Sequence, residues 1–181
     1  MNKYPHLLYL LIILLFFTHC STPKQEVLFK GGEVYDGSGG FEYHLDIEIQ
    51  DSTILAMGKV PKDKTQKVIE INNRKVAPIV LETIAATQSM RPKEIASRFM
   101  IELIKRAQKD TIPLGKHIKE LSKVSLENSR WKGFISKAYL ANFIVFDPRV
   151  FNSIAPLEET SSPLDYVDYI VLKGKVYPIS D

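Results

Sequence analysis

Short apolar runs divided by turn residues follow residue 26 and predict a sheet. Leu45 to Ile49 alternates apolar and acidic residues, which is the period-two pattern of a half-buried strand. Similar runs occur, with Gly, Asp or Asn between them, at 27–29, 33–35, 53–57, 68–71 and 75–78. We therefore expect an antiparallel sheet of hairpins in this part of the chain.

The segment 81–129 has a helical period instead. Apolar residues recur every three or four positions, and Lys and Arg occupy much of the remaining face. Pro92 fits a first helical turn, and Pro113 and Gly115 separate this helix from a shorter one at 116–124. We interpret the apolar stripe as core packing, in preference to a partner-binding or membrane-surface helix. Its members are Ile95, Phe99, Met100, Leu103, Ile104 and Ala107.

Strand patterns return after Gly133. The predicted strands are 134–135, 142–146, 167–172 and 176–177, and Lys173-Gly174-Lys175 forms a tight turn between the last two. The chain is thus β-rich at the front and the back, with helices between.

The first residues form a separate, strongly apolar segment. Leu7 to Phe17 is an unbroken apolar run of 11 residues, which as a helix would rise about 16 Å. A stable span needs about 20 residues, so the run predicts a signal peptide over residues 1–19. Cys20, the only Cys in the chain, follows three residues after the run.

This arrangement resembles a bacterial lipoprotein signal, in which the Cys thiol receives a lipid before cleavage. Cys20 would be the lipid attachment site and the first residue of the mature chain, and residues 20–26 a polar tether. Phe17 and His19 depart from the usual residues of such a signal. An uncleaved signal anchor, or plain secretion with Cys20 as a spare thiol, are the alternatives.

Composition excludes several classes of protein. The chain has 181 residues, 45% of them hydrophobic, which fits a globular protein of one to one and a half domains and not a disordered protein. A net charge of +3, with both signs mixed along the chain, gives no reason to expect a nucleic-acid partner. One Cys excludes a disulfide scaffold.

Both ends of the chain together resemble amidohydrolases, most closely the N-acyl-D-amino-acid deacylase (D-aminoacylase) branch. The front carries a strand, a Gly-rich bend and the turn Asp36-Gly37-Ser38-Gly39, as those enzymes do. The runs 130–135 and 141–148 resemble the exit from their catalytic barrel, and 166–176 their last hairpin. The likeness covers residues 27–80 and 105–178 and depends on the order and spacing of many short motifs.

The resemblance implies a mainly β fold with a helical insert (α+β). N- and C-terminal strands would form one composite β-sandwich, without a complete TIM barrel. The implied divisions are 27–80 for the N-terminal half of the sandwich, 81–129 for a helical connection left from the barrel, and 130–181 for the C-terminal half.

In the resembled family, a zinc-bound water hydrolyses an amide bond other than a peptide bond. The family continues after Ala77-Pro78 with an Asp and a His-x-His pair, which are absent here. Only 49 residues separate Val80 from Arg130, whereas a (β/α)8 barrel takes about 250. We therefore expect no catalytic residues, no metal ligands and no cofactor in this chain.

Three side chains resemble ligands, but we interpret each as structural. We expect Glu82 to be a solvated residue that opens a helical turn. His44 is predicted to be a surface or half-buried strand residue, and His117 lies in a basic helical stretch that would repel a cation. Two distant histidines cannot supply the three or four ligands that zinc requires.

Other chemical motifs are weak. Gly37 to Gly40 could cradle a phosphate, but no helix follows it, so we interpret it as a turn. Asp165 and Asp168, if in a strand, point to opposite faces and do not form a carboxylate pair.

The sequence thus predicts a truncated, amidohydrolase-like exported lipoprotein of the cell envelope, facing the periplasm or the exterior, without activity of its own. Its N-terminal lipid would bind the membrane, and a protein partner or a second copy would cover exposed sheet. A working C–N hydrolase completed by another chain and an envelope binding protein remain the alternatives.

Overall fold

The computed structural model describes residues 26–62, 67–84, 89–123, 125–127, 130–151 and 162–179. Within these ranges the strands β1 to β10 are Glu26–Val34, Tyr43–Gln50, Thr53–Gly58, Lys67–Glu70, Lys75–Pro78, Ser125–Glu127, Arg130–Lys132, Phe143–Phe146, Val167–Leu172 and Lys175–Pro178. The α-helices are α1 (Pro92–Lys109) and α2 (Leu114–Leu121), and 3-10 helices span Leu81–Ile84, Pro148–Phe151 and Pro163–Tyr166.

One mixed sheet contains strands from both ends of the chain. Its order is β10-β9-β8-β5-β1-β2-β3, and β4 pairs with β1 beside this path. The two ends meet where β5 pairs antiparallel with β8, with Lys75 opposite Phe146 and Pro78 opposite Phe143. The mainly β fold with a helical insert, built from N- and C-terminal strands together, is confirmed, and the sheet does not close into a barrel.

The pairing of β4 and β5 differs from the predicted hairpins. Both strands run parallel to β1, β4 along its first half and β5 along its second half. A register shift between Phe29 and Gly32 divides β1, and Gly31 has a φ of 79° there. Because β1 bulges at this point, one long strand replaces the two predicted at 27–29 and 33–35 and takes two successive parallel partners.

The sheet bends around a first apolar core. The Phe29 ring of β1 contacts Phe143 of β8 at 5.3 Å and Tyr169 of β9 at 6.0 Å between ring centroids, although β5 lies between β1 and β8. The edge strand β3 also comes close to the C-terminal part of the sheet, since Thr53 of β3 forms a β-bridge with Leu140 just before β8. This core therefore joins residues from both ends of the chain.

The two helices cover the other side of the sheet. The predicted stripe of α1 is buried at Ile95, Phe99, Met100, Leu103 and Ile104. These side chains share a second core with buried residues of β5, β8 and β9, namely Ala77, Ile144, Phe146, Val167 and Ile170. The interpretation of the stripe as core packing is confirmed.

The second helix ends before the predicted residue 124, and the strands that follow it differ from the predicted ones. The second helix ends at Leu121, and β6 then pairs with β7 in a separate two-stranded sheet. The prediction of a strand at Phe134 and Ile135 is wrong, because Gly133 adopts a φ of 95° and turns the chain away. The Ile135 N–H nevertheless donates to the Asp36 carbonyl at 3.0 Å.

Candidate functional site

The end of β5 is enclosed by apolar side chains. Here Ile79 and Val80 follow the strand, and both side chains are buried. The Ile79 N–H donates to the Asn142 carbonyl at 3.0 Å, which ties this exit to the C-terminal strands. Apolar packing and this hydrogen bond therefore fix the exit from β5.

Glu82 lies in the first turn of the 3-10 helix that follows, as predicted. Its side chain is exposed and accepts a hydrogen bond from the Nζ of Lys132 at 2.6 Å, while the lysine itself is buried. The carboxylate neutralises a buried cation, so it acts as a structural partner for Lys132.

The two described histidines lie in different environments. His44 is exposed on β2, which confirms its prediction as a strand residue at the surface. His117 is buried in α2, with its Nε2 atom 3.1 Å from Oδ1 of Asp110 but outside hydrogen-bond geometry. In the described part of the chain, no three His, Cys, Asp or Glu side chains are grouped to hold a metal ion.

An ionic network connects the two ends of the chain. Arg74, just before β5, binds Asp168 of β9 through its Nε atom and lies 3.4 Å from Asp147 through Nη1. Asp147 is buried and also binds the Arg149 guanidinium at 2.6 Å. The hydrogen bond from Arg149 lowers the pKa of Asp147, so this carboxylate stays charged.

The aspartates 165 and 168 do not form a pair, as predicted, although Asp165 lies in a 3-10 helix and not in a strand. Its carboxylate accepts a hydrogen bond from the backbone of Ser162 at 3.0 Å, whereas Asp168 binds Arg74. Each carboxylate therefore has its own structural partner.

A second ionic cluster surrounds Lys75 of β5. Its Nζ atom lies 2.8 Å from carboxylate oxygens of both Glu33 and Glu42, and 5.2 Å from the Tyr35 ring centroid. Burial alone would lower the pKa of Lys75, but hydrogen bonds to the two carboxylates outweigh it and raise the pKa. The ammonium group of Lys75 is thus paired with two carboxylates of the same cluster, which favours a structural role.

The Gly-rich turn after β1 lies against α2. A Cβ atom on Gly115, in the first turn of α2, would lie 2.0 Å from the Gly40 carbonyl oxygen, so only glycine fits. Within the turn, Asp36 accepts from the Ser38 N–H at 2.8 Å and Ser38 Oγ from the Gly40 N–H at 3.4 Å. These amides have partners in the turn, as its interpretation as a turn requires.

This contact produces a basic groove that the sequence did not predict. The groove has a volume of about 470 Å³ and is lined by Ser38, Gly39, Lys116, Lys119, Glu120 and Lys123. The lysines in the sequence predicted only a basic helical stretch near His117 and not a groove. The glycine turn that completes the groove comes from about 75 residues earlier in the chain, and no local pattern announces that contact.

The predicted signal peptide, Cys20 and tether residues 20–25 lie outside the described residues, as does most of the loop 152–163. Among the helices that the structure does describe, none has both the length and the apolar character to cross a bilayer.

No protein-family profile and no curated protein matches the chain. Among solved structures it is similar to an N-acyl-D-glutamate deacylase from Bordetella bronchiseptica in complex with zinc and a phosphonate inhibitor. That likeness has 25% identity and a TM-score of 0.28, and it covers 30% of this chain and 12% of the enzyme.

A dihydropyrimidinase from Brevibacillus agri matches at 20% identity and a TM-score of 0.27, over 30% of this chain and 11% of the enzyme. A D-aminoacylase variant with copper chloride matches at 15% identity and a TM-score of 0.30, over 41% and 16%. All three proteins are amidohydrolase-superfamily members. The chain spans less than a fifth of the length of each, and likeness at this level does not assign it to their superfamily.

Proposed function

We propose that this protein is a lipid-anchored domain of the cell envelope with no hydrolytic activity of its own. It would derive from the composite β-domain of an amidohydrolase, of the D-aminoacylase branch, by internal loss of the catalytic barrel. The short motifs at both ends of the chain, in family-like order and spacing, support this origin.

The observation that carries the proposal is the way the sheet is completed between Val80 and Arg130. These 49 residues replace the roughly 250 of a barrel, and their described part includes the helices α1 and α2. These helices bury the face of β5, β8 and β9. A domain that covers its own sheet has no structural need for a barrel beside it.

The side chains available for zinc chemistry support the same conclusion. Zinc sites need three or four convergent ligands, usually Cys, His or carboxylates. His117 is enclosed in α2 beside Asp110, and His44 is exposed on β2. Apolar Ile79 and Val80 stand where the family's ligands would begin.

Mass spectrometry of the protein expressed with its own N-terminus in a lipoprotein-processing bacterium tests the anchoring. We expect a mature chain that begins at Cys20 with acyl chains on it, in the membrane fraction. Cys20→Ser should abolish acylation and signal cleavage, while Ser21→Ala, the matched control, should leave both intact. An unmodified Cys20 thiol in a cleaved, soluble chain would contradict the anchoring.

A further inference from the structure

Three lysines on and just after α2 form what we call the lysine face, which we define as Lys116, Lys119 and Lys123. Lys116 and Lys119 are three residues apart and lie on one side of α2, and Lys123 follows two residues after its end. All three side chains are exposed and line the groove beside the Gly-rich turn. The lysine face is thus one continuous basic surface.

The charge of this face is not cancelled by its surroundings. Glu120 is the acidic residue in the groove, and its carboxylate is bound by the Arg106 guanidinium of α1 at 2.6 Å. The three lysine ammonium groups form no ion pair within the described part of the chain. The face therefore presents net positive charge to an anionic partner.

Two exposed large apolar side chains lie close in the chain to the two segments that form the groove. Phe41 directly follows Gly40, the residue that touches Gly115 at the start of α2, and its side chain is 81% exposed. Ile112, two residues before α2, is 45% exposed. Exposed aromatic and aliphatic side chains next to lysines are typical of surfaces that insert into the interface of a bilayer.

We propose that the lysine face, with Phe41 and Ile112, docks on an anionic membrane surface. Lysines near anionic headgroups gain attraction, and the aromatic ring gains burial at the level of the headgroups. An acidic protein would match the lysines alone, whereas a bilayer matches both the lysines and the exposed Phe41.

The proposal rests on the proposed function in one respect: the lipid at Cys20 would bring the domain to a membrane, whereas the contact itself would be made by the described face. Five residues separate Cys20 from Glu26, so the two Cα atoms can be at most about 20 Å apart. β1 then runs for nine residues, roughly 27 Å, before the Gly-rich turn. Docking of the lysine face therefore requires β1 to lie roughly parallel to the membrane surface and not perpendicular to it.

Tryptophan fluorescence of the chain from residue 20 onward, its proposed mature form, mixed with vesicles, tests this orientation. Trp131 is the only Trp, so Trp131→Phe combined with Phe41→Trp gives a single probe on the proposed face. In phosphatidylcholine vesicles containing about a third phosphatidylglycerol, we expect a blue shift of the indole emission and quenching by brominated acyl chains. Pure phosphatidylcholine vesicles should give neither effect.

Removing the lysines should move the probe back into water. Each lysine near an anionic surface favours docking about fivefold, so Lys116→Gln, Lys119→Gln and Lys123→Gln together should lower the ratio of docked to undocked domain on the order of 100-fold. The matched control changes three exposed lysines elsewhere, Lys59, Lys67 and Lys175, to Gln and should keep the shift. Salt at 1 M should abolish docking, because the Debye length falls to about 3 Å.

Three results would overturn the proposal: equal shifts on neutral vesicles, an unchanged shift in the lysine-face variant, or an equal loss in the control. A shift that requires an added acidic protein would assign the face to a protein partner and also overturn it. Far-UV circular dichroism establishes that each variant is folded. Since the chain is reconstituted without need of an acyl group, failure of lipidation at Cys20 remains distinguishable from failure of docking.

Discussion

Truncating Phe99 tests whether the helices complete the sheet. Phe99 is fully buried in the middle of α1, in the core that α1 shares with β5, β8 and β9. The substitution Phe99→Ala removes the ring but preserves helix propensity, because Ala is the best helix former. It therefore reports on packing between the helix and the sheet.

The expected cost follows from the buried ring. An aromatic side chain buries roughly 200 Å², which at about 25 cal/mol per Å² corresponds to about 5 kcal/mol. Part of that area remains with the Cβ atom, and measured Phe→Ala costs in cores are about 3–5 kcal/mol. A domain of this size has about 5–15 kcal/mol of total stability, so the variant should fold but be severely weakened.

Urea unfolding of the chain from residue 20 onward, followed by Trp131 fluorescence and circular dichroism, measures this cost. With a slope of about 2 kcal/mol per M, the midpoint of Phe99→Ala should fall by roughly 1.5–2.5 M. Ile101→Ala is the control, because Ile101 lies on the same helix but is 36% exposed, and it should cost under about 1 kcal/mol. Equal midpoints for the two variants would refute the claim that α1 covers the sheet.

Two further predictions concern the turn contact and the ionic network. Gly115→Ala should lower the unfolding free energy by about 1–3 kcal/mol, because its Cβ would lie 2.0 Å from the Gly40 carbonyl oxygen. Gly40→Ala is the control, since the nearest atom to a Cβ on Gly40 is 3.5 Å away, and similar melting temperatures for the two variants would contradict the contact. The pKa of Asp147 is lowered in the folded state, so its contribution is complete above the ordinary carboxyl pKa of about 4 and is lost as pH falls through the lowered value. Asp147→Asn should therefore lose less stability than the unaltered protein between about pH 5 and pH 2, and parallel urea midpoints over that range would argue against this role.

Local patterns predicted the elements that depend on burial of one face. The apolar–polar alternation at 45–49 predicted β2, and the spacing of Ile95, Phe99 and Leu103 predicted the buried side of α1. Both predictions were correct because the period of a strand or helix can be recognised from residues that are close in sequence. The exposed setting of Glu82 followed in the same way from an acidic residue in a first turn.

Contacts between distant residues were beyond this reasoning. The four-residue runs at 67–70 and 75–78 do not identify their partner, and the structure shows that both pair in parallel with β1, on either side of its bulge at Gly31. The meeting of Gly40 with Gly115, which creates the lysine-lined groove, likewise depends on the folded path of the whole chain.

Metal content and amide hydrolysis, measured on one purified sample, test the central claim that this domain works without a reactive metal centre. The chain should retain no stoichiometric zinc after dialysis in zinc-containing buffer, and it should release no amine from N-acyl amino acids. Turnover of such a substrate that a chelator abolishes and zinc restores would contradict the account.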